Sequence, residues 1–161
     1  MIIQDADLEY DPGDLMKIIN LFKKNPNIGV VYGSRSLNRS NNINLSFAKK
    51  FRVFANAILT FINNIFNRQN LTDAHTCYKV FSKKVFCNIY LQEKRFAFCS
   101  EINTKLSNLG IKITEVPIKY RGREYDEDKK IALIDAFDSL KAILKYNFFD
   151  KRYIKFYKKK L

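Results

Sequence analysis

A strand, an acidic cluster, a capped helix and a second strand follow one another in the first 35 residues, and this order constrains the fold more than any other feature. Met1 to Gln4 reads as the end of a strand, with Asp5-Ala-Asp7-Leu-Glu9 at its carboxyl end. Asp11 can cap the next helix with Pro12 at its first position. Leu15, Ile18, Ile19 and Phe22 then form one apolar stripe, which predicts a helix from about 12 to 24. Asn25-Pro26-Asn27 breaks it, and Gly29 to Gly33 reads as a short buried strand ending in Ser34-Arg35.

The remaining chain keeps alternating. A polar loop over 36–45 precedes Phe47, Phe51, Phe54, Ile58, Phe61, Ile62 and Ile65 at helical spacing, with Lys49, Lys50 and Arg52 near the start. Thr76 to Phe81 alternates like a strand, Ser82 can cap a short helix, and Glu101 to Leu109 predicts a helix closed by Gly110. Lys112 to Tyr120 reads as a strand, followed by a charged loop over 121–130 and an amphipathic helix from Ile131 to about Lys145. The tail from Asn147 mixes aromatic residues with lysines. This pattern predicts an α/β fold with a mixed, mostly parallel sheet and flanking helices. Only three or four strands are readable, against ~5–6 in a usual open sheet. Either the chain is a fragment of a larger enzyme, or a separate N-terminal part supplies neighbouring strands.

At 161 residues and 47% hydrophobic content, the chain has the material for one core. Its 29 Lys and Arg against 16 Asp and Glu give +13, a field that attracts nucleic acid, anionic lipid or phosphate-bearing substrates. Nucleic acid is the least favoured of these, because the basic residues do not gather in one binding motif. Cys77, Cys87 and Cys99 are widely spaced, with only His75 as a nitrogen partner, which argues against a zinc site or a disulfide framework. They read as reduced core thiols of a cytoplasmic chain, and His75 as structural or exposed. No secretory signal is visible, and no run reaches the ~18 apolar residues of a membrane span.

Asp5 and Asp7 lie two apart in an extended segment, so both carboxylates project to one side. Hard oxygen pairs of this kind suit Mg²⁺ or Mn²⁺, and the carboxyl end of a strand is where open α/β sheets bind ligands. Spacing alone leaves two readings open, a metal site and ordinary loop acids, since Asp126 and Asp128 repeat it in a loop.

Several motifs then occur in a telling order. They are Gln4-Asp5-Ala-Asp7-Leu-Glu9-Tyr-Asp11-Pro12, Val31-Tyr-Gly33-Ser34-Arg35, Leu71-Thr72-Asp73 with Cys77 to Phe81, Phe98 with Glu101-Ile102, Glu115-Val116-Pro117-Ile118, and Arg123 followed by Lys129-Lys130-Ile131. This succession, from about Ile3 to Asp150, resembles family 2 glycosyltransferases of the dolichyl-phosphate mannosyltransferase and polyprenyl-phosphate sugar synthase type. The resemblance implies a truncated GT-A (Rossmann-like) fold, with 1–130 as the C-terminal part of the catalytic domain and 131–161 as an amphipathic helix and basic-aromatic tail. It implies inverting transfer of a hexose from a nucleotide sugar donor to a polyprenyl phosphate acceptor. Asp5, Asp7 and Glu9 match the positions that hold Mg²⁺ or Mn²⁺. Arg35, Arg123 and Lys129 match phosphate-binding positions, and Asp73 and Glu101, with Asp5 and Asp7, match acidic catalytic positions. Asp128 departs from the pattern, standing where relatives carry a small residue.

The resemblance implies that the family's opening strand and acidic loop, which hold the nucleotide base and ribose, would precede Met1. The expected location is peripheral, on the cytoplasmic face of a membrane. The Phe-rich stretch over 47–66 is either a membrane-surface helix or a plain core helix, and the tail is either a lipid contact or a solvated terminus. The competing functional reading is a catalytically inactive fragment that serves as a membrane-surface interaction module.

Overall fold

The computed structural model of the protein describes residues 1–4, 9–37, 47–121 and 133–154, with the side chains of 47–49 and 133–134 left aside. The expectations for Asp5, Asp7, Arg123 and Lys129 therefore lie outside the described residues. The rest is an α/β fold built on a mixed four-stranded sheet in the order β1 (Ile2–Ile3), β3 (Lys79–Phe81), β2 (Val30–Ser34), β4 (Ile113–Pro117).

β1, β2 and β4 run one way and β3 runs against them. β3 pairs antiparallel with β1 through Ile2–Val80 and with β2 through Val31–Val80, while β2 and β4 are parallel through Val30–Ile113 to Ser34–Pro117. The alternating pattern thus finds its three co-directional strands, but β3 enters between the first two and makes two of the three described pairings antiparallel. The expected strand over 76–81 shortens to three residues because Thr76, Cys77 and Tyr78 belong to the approach loop.

β2 is buried along its whole length, as a central strand covered on both faces must be. Its side chains alternate between two cores. Val30 and Tyr32 pack with Leu71, Ala74, Phe81, Ile102 and Leu106 on the side of α4 (Ala97–Asn108). Val31 packs with Tyr10, Ile18, Tyr78, Val80 and Ile118 on the side of α1 (Gly13–Lys24). Asp11 accepts the Gly13 N–H at 2.8 Å and so caps α1 as expected. Ser82 does the same for the short α3 (Lys83–Phe86) through the Val85 N–H. α4 begins four residues before the expected Glu101. The final helix α5 (Leu133–Leu144) packs against α4 and runs into a π-helical turn, Lys145–Phe149.

Gly33 is required by close approach. A Cβ there would lie 2.7 Å from Ile118 Cγ2 and 3.1 Å from Tyr78 Cβ, both in the packed core. Gly33→Ala should therefore lose about 1–3 kcal/mol of stability in chemical denaturation, as overpacked cores do.

α2 (Phe47–Asn67) reverses the usual sidedness of a helix. Its inward face is polar, with Thr60, Asn63 and Asn67 buried, whereas Phe51, Phe54 and Phe61 are 60–64% exposed and Ile58 and Ile65 join them. The plain core helix is not what forms. No helix among the described residues is long and apolar enough to cross a membrane.

Candidate functional site

Because β1, β2 and β4 are co-directional, the segments that leave them emerge at one edge of the sheet, and the loop entering the opposed β3 arrives there too. Ligands of open α/β sheets bind at that edge.

Arg35 follows directly on β2. Its Nε and Nη2 donate to the two oxygens of Asp73 at 2.6 and 2.8 Å, and its backbone N–H adds a third bond at 3.1 Å. This two-pronged contact is the strongest geometry a guanidinium offers a carboxylate. Asp73 is fully buried and also accepts from the Asn56 amide of α2 at 3.2 Å. Burial alone would push its carboxyl up, but the Arg35 fork holds it below the ordinary carboxylate range. Burial likewise opposes the Arg35 charge, and Asp73 more than restores it. Both groups stay ionised as a fixed pair.

The loop that carries Asp73 is fastened on every side. The Glu115 carboxylate on β4 accepts the Thr72 N–H at 2.8 Å, the Thr72 hydroxyl at 2.9 Å and the Asp73 N–H at 3.1 Å. Asn64 brackets Leu71 through its N–H and its carbonyl, and Thr60 Oγ1 accepts the Ala74 N–H. Asn103 and the buried Lys79 both donate to the Ala74 carbonyl, and Lys79 also reaches that of Thr76.

Glu9 and Arg35 meet through Tyr120. Tyr120 bridges to Tyr10 in antiparallel fashion, the Arg121 N–H donates to the Glu9 carbonyl at 2.9 Å, and the Tyr120 hydroxyl donates to Glu9 Oε2 at 3.0 Å. The Arg35 guanidinium lies 5.2 Å from the centre of the Tyr120 ring, within cation–π range. The flank of the acidic cluster, the flank of the basic loop and Arg35 are therefore one contiguous group.

Glu101 stands outside it. The carboxylate is fully buried and accepts the Gln92 N–H, the Glu93 N–H at 2.8 Å and the Lys105 ammonium at 2.6 Å, a structural anchoring for the 90–93 segment. It shares no partner with Arg35 or Asp73 among the described residues. His75 is buried, and burial together with the charge on Lys79 lowers its pKa to about 4, so the imidazole is neutral. Cys77 is half-buried and packs against the core cluster that contains Val31 and Tyr78, as expected of a core thiol, whereas Cys99 is half-buried and Cys87 is exposed.

Among the described residues no three His, Cys, Asp or Glu side chains converge as a metal site. The half-buried Glu9 is the one expected metal ligand among them. Together with Asp5 and Asp7, which lie outside the described residues, it would make an all-carboxylate donor set, hard oxygens of the kind that Mg²⁺ and Mn²⁺ take. Reading the sequence missed Tyr120, Asn56 and the function of Glu115. The parity of β4 could have flagged Glu115, a carboxylate set between Ile113 and Pro117 on the face that carries Ile113 into the core.

An uncharacterized protein of Methanocaldococcus jannaschii is 26% identical over 153 residues, covering 92% of this chain and 60% of its own length. The chain thus spans about 60% of the curated relative it matches. The sequence profile of Glycosyl transferase family 2 matches residues 1–89, the stretch that contains β1 to β3, Glu9, Arg35 and Asp73, and the chain belongs to that family.

Proposed function

We propose that this chain is the phosphate-handling portion of an inverting hexosyltransferase that moves a sugar from a nucleotide sugar to a polyprenyl phosphate at the cytoplasmic face of a membrane. The observation that carries this reading is the junction of Glu9 with Tyr120 and Arg121 beside Arg35. Asp7 lies two residues before Glu9 and Arg123 two residues after Arg121. Two residues of chain reach about 7 Å at most, a spacing compatible with acidic and basic groups that serve one site.

Asp5, Asp7 and Glu9 would hold Mg²⁺ or Mn²⁺. When bound, the ion supplies Lewis-acid stabilisation of the leaving diphosphate. Arg35, Arg123 and Lys129 would hold the donor and acceptor phosphates and orient them. A phosphate acceptor is already ionised near neutral pH, so the chain needs fixed cations more than a strong base. Arg35, locked as a cation by its partner, suits that task, and Asp73 acts through it as a positioning residue.

The outward Phe stripe of α2 supports peripheral membrane contact. Phe66 meets Phe148 of the π-helical turn at 6.4 Å between ring centres, so the apolar surface continues onto the C-terminal segment. Exposed Lys50, Arg52, Lys141 and Lys151 lie on the same elements or next to them. Each contributes ~1 kcal/mol near an anionic surface.

The test supplies nucleotide sugars, Mn²⁺ and anionic vesicles with polyprenyl phosphate. The expected result is release of nucleoside diphosphate that requires the lipid phosphate, is abolished by a chelator and is lost in Asp5→Ala and Asp7→Ala. Vesicle binding that persists in those variants, with no lipid-dependent release from the wild type, overturns it in favour of a catalytically inactive interaction module.

A further inference from the structure

Glu115 belongs to a motif that nothing in the proposed chemistry uses, yet its carboxylate accepts three hydrogen bonds. Its three donors are two successive backbone N–H groups and one hydroxyl, and among the described residues it forms no ion pair. An ionised carboxylate only accepts, so this negative charge fixes the direction of everything attached to it. The Thr72 hydroxyl has one hydrogen, and it points at Glu115. In the 2.6 Å contact between Ser34 Oγ and Thr72 Oγ1, Ser34 must therefore be the donor. Its lone pairs are then left to accept the Ser36 and Leu37 N–H groups at 3.2 and 3.3 Å, which shapes the turn that contains Arg35. A second route runs through the Asp73 N–H to the Asp73 carboxylate and its fork on Arg35.

We propose that Glu115 is a positioning residue for Arg35. It sets the guanidinium through both the Thr72–Ser34 hydroxyl relay and the Asp73 carboxylate. This rests on the reading of Arg35 as a phosphate ligand. β4 supplies the rigidity, since Glu115 is in register with Tyr32, two residues before β2 ends at Ser34. A displacement of Arg35 by a fraction of an ångström would weaken phosphate binding without unfolding the sheet.

The test measures calorimetric affinity for two probes, farnesyl phosphate for a lipid acceptor and inorganic pyrophosphate for a leaving diphosphate, in a double-mutant cycle. Glu115→Gln keeps the side-chain shape and Thr72→Val removes only the relay. Glu115→Gln should weaken binding of the probe that Arg35 contacts about tenfold, with Thr72→Val in the same direction by less. Neither should have a further effect in an Arg35→Ala background, because the coupling is through Arg35. The Arg35 Nε–H resonance, protected in the wild type, should exchange faster in Glu115→Gln while the melting transition stays cooperative. An unchanged affinity and Nε–H signal in Glu115→Gln, or an equal loss with and without Arg35, reduces Glu115 to a local loop anchor. Should Arg35→Ala itself leave both probes bound as before, the phosphate reading of Arg35 fails, a result distinguishable from the first two.

Discussion

Asp73→Asn is expected to lower folding stability by about 3 kcal/mol at neutral pH, the lower end of the 3–5 kcal/mol found when one partner of a buried ion pair is removed. The lower end applies because the Arg35 side chain keeps 20% of its surface in solvent, where water relieves part of the orphaned charge. The penalty should depend on pH with a definite sign. The Asp73 carboxyl is held below its unfolded value. Its contribution is therefore complete above the unfolded pKa of about 4 and is lost as pH falls through the folded value. Denaturant unfolding of wild type and Asp73→Asn should accordingly diverge most above pH 5 and converge in acid. An Arg35→Met, Asp73→Asn double variant should lose less than the sum of the single changes, since it leaves no buried charge without a partner. Additive losses, or a difference that does not vary with pH, would falsify the paired assignment.

What could be read in advance followed from local periodicity. α1 and β2 formed within a residue or so of expectation because capping chemistry and a continuous apolar run specify them without help from distant chain. Strand order was not legible in the same way. The insertion of β3 between β1 and β2 depends on pairings such as Ile3 with Lys79, and no local pattern encodes them. The sidedness of α2 stayed open between two readings for a related reason. A Phe stripe looks inward by default, and only the tertiary partners of Asn63 and Asn64, which include Asn103 and Leu71, turn the polar face to the core. Arg35 and Asp73 were each picked out from motifs, but their union across 38 residues of sequence is a product of the fold. Glu101 shows the converse. Its match to an acidic family position says nothing about burial, and the carboxylate anchors a loop.

The second large effect is expected at that carboxylate's partner. Lys105 is 1% exposed and Glu101 is fully buried, with 2.6 Å between their charged atoms. The Lys105 ammonium also donates to the Tyr90 carbonyl at 2.7 Å and lies 4.2 and 5.1 Å from the ring centres of Tyr146 and Tyr153. Lys105→Met keeps the length of the side chain and removes the cation. Glu101 is then left in the core without a cation to balance it, and a loss of about 3–5 kcal/mol should follow in denaturant unfolding. Glu101→Gln should cost less. Its amide oxygen still accepts from those N–H groups, and the stranded ammonium keeps the Tyr90 carbonyl and an aromatic surround that stabilises a cation. This asymmetry separates a cation cage from a plain ion pair, for which the two single changes would cost alike. The cage also joins α4 to the π-helical turn, with Ala97, Ala142, Tyr146 and Tyr153 packed in one cluster. Lys105→Met should therefore expose the segment after Tyr146 to limited proteolysis before the sheet unfolds. Replacing both partners, Glu101→Leu with Lys105→Met, should recover much of the loss, because an apolar pair leaves no charge to solvate.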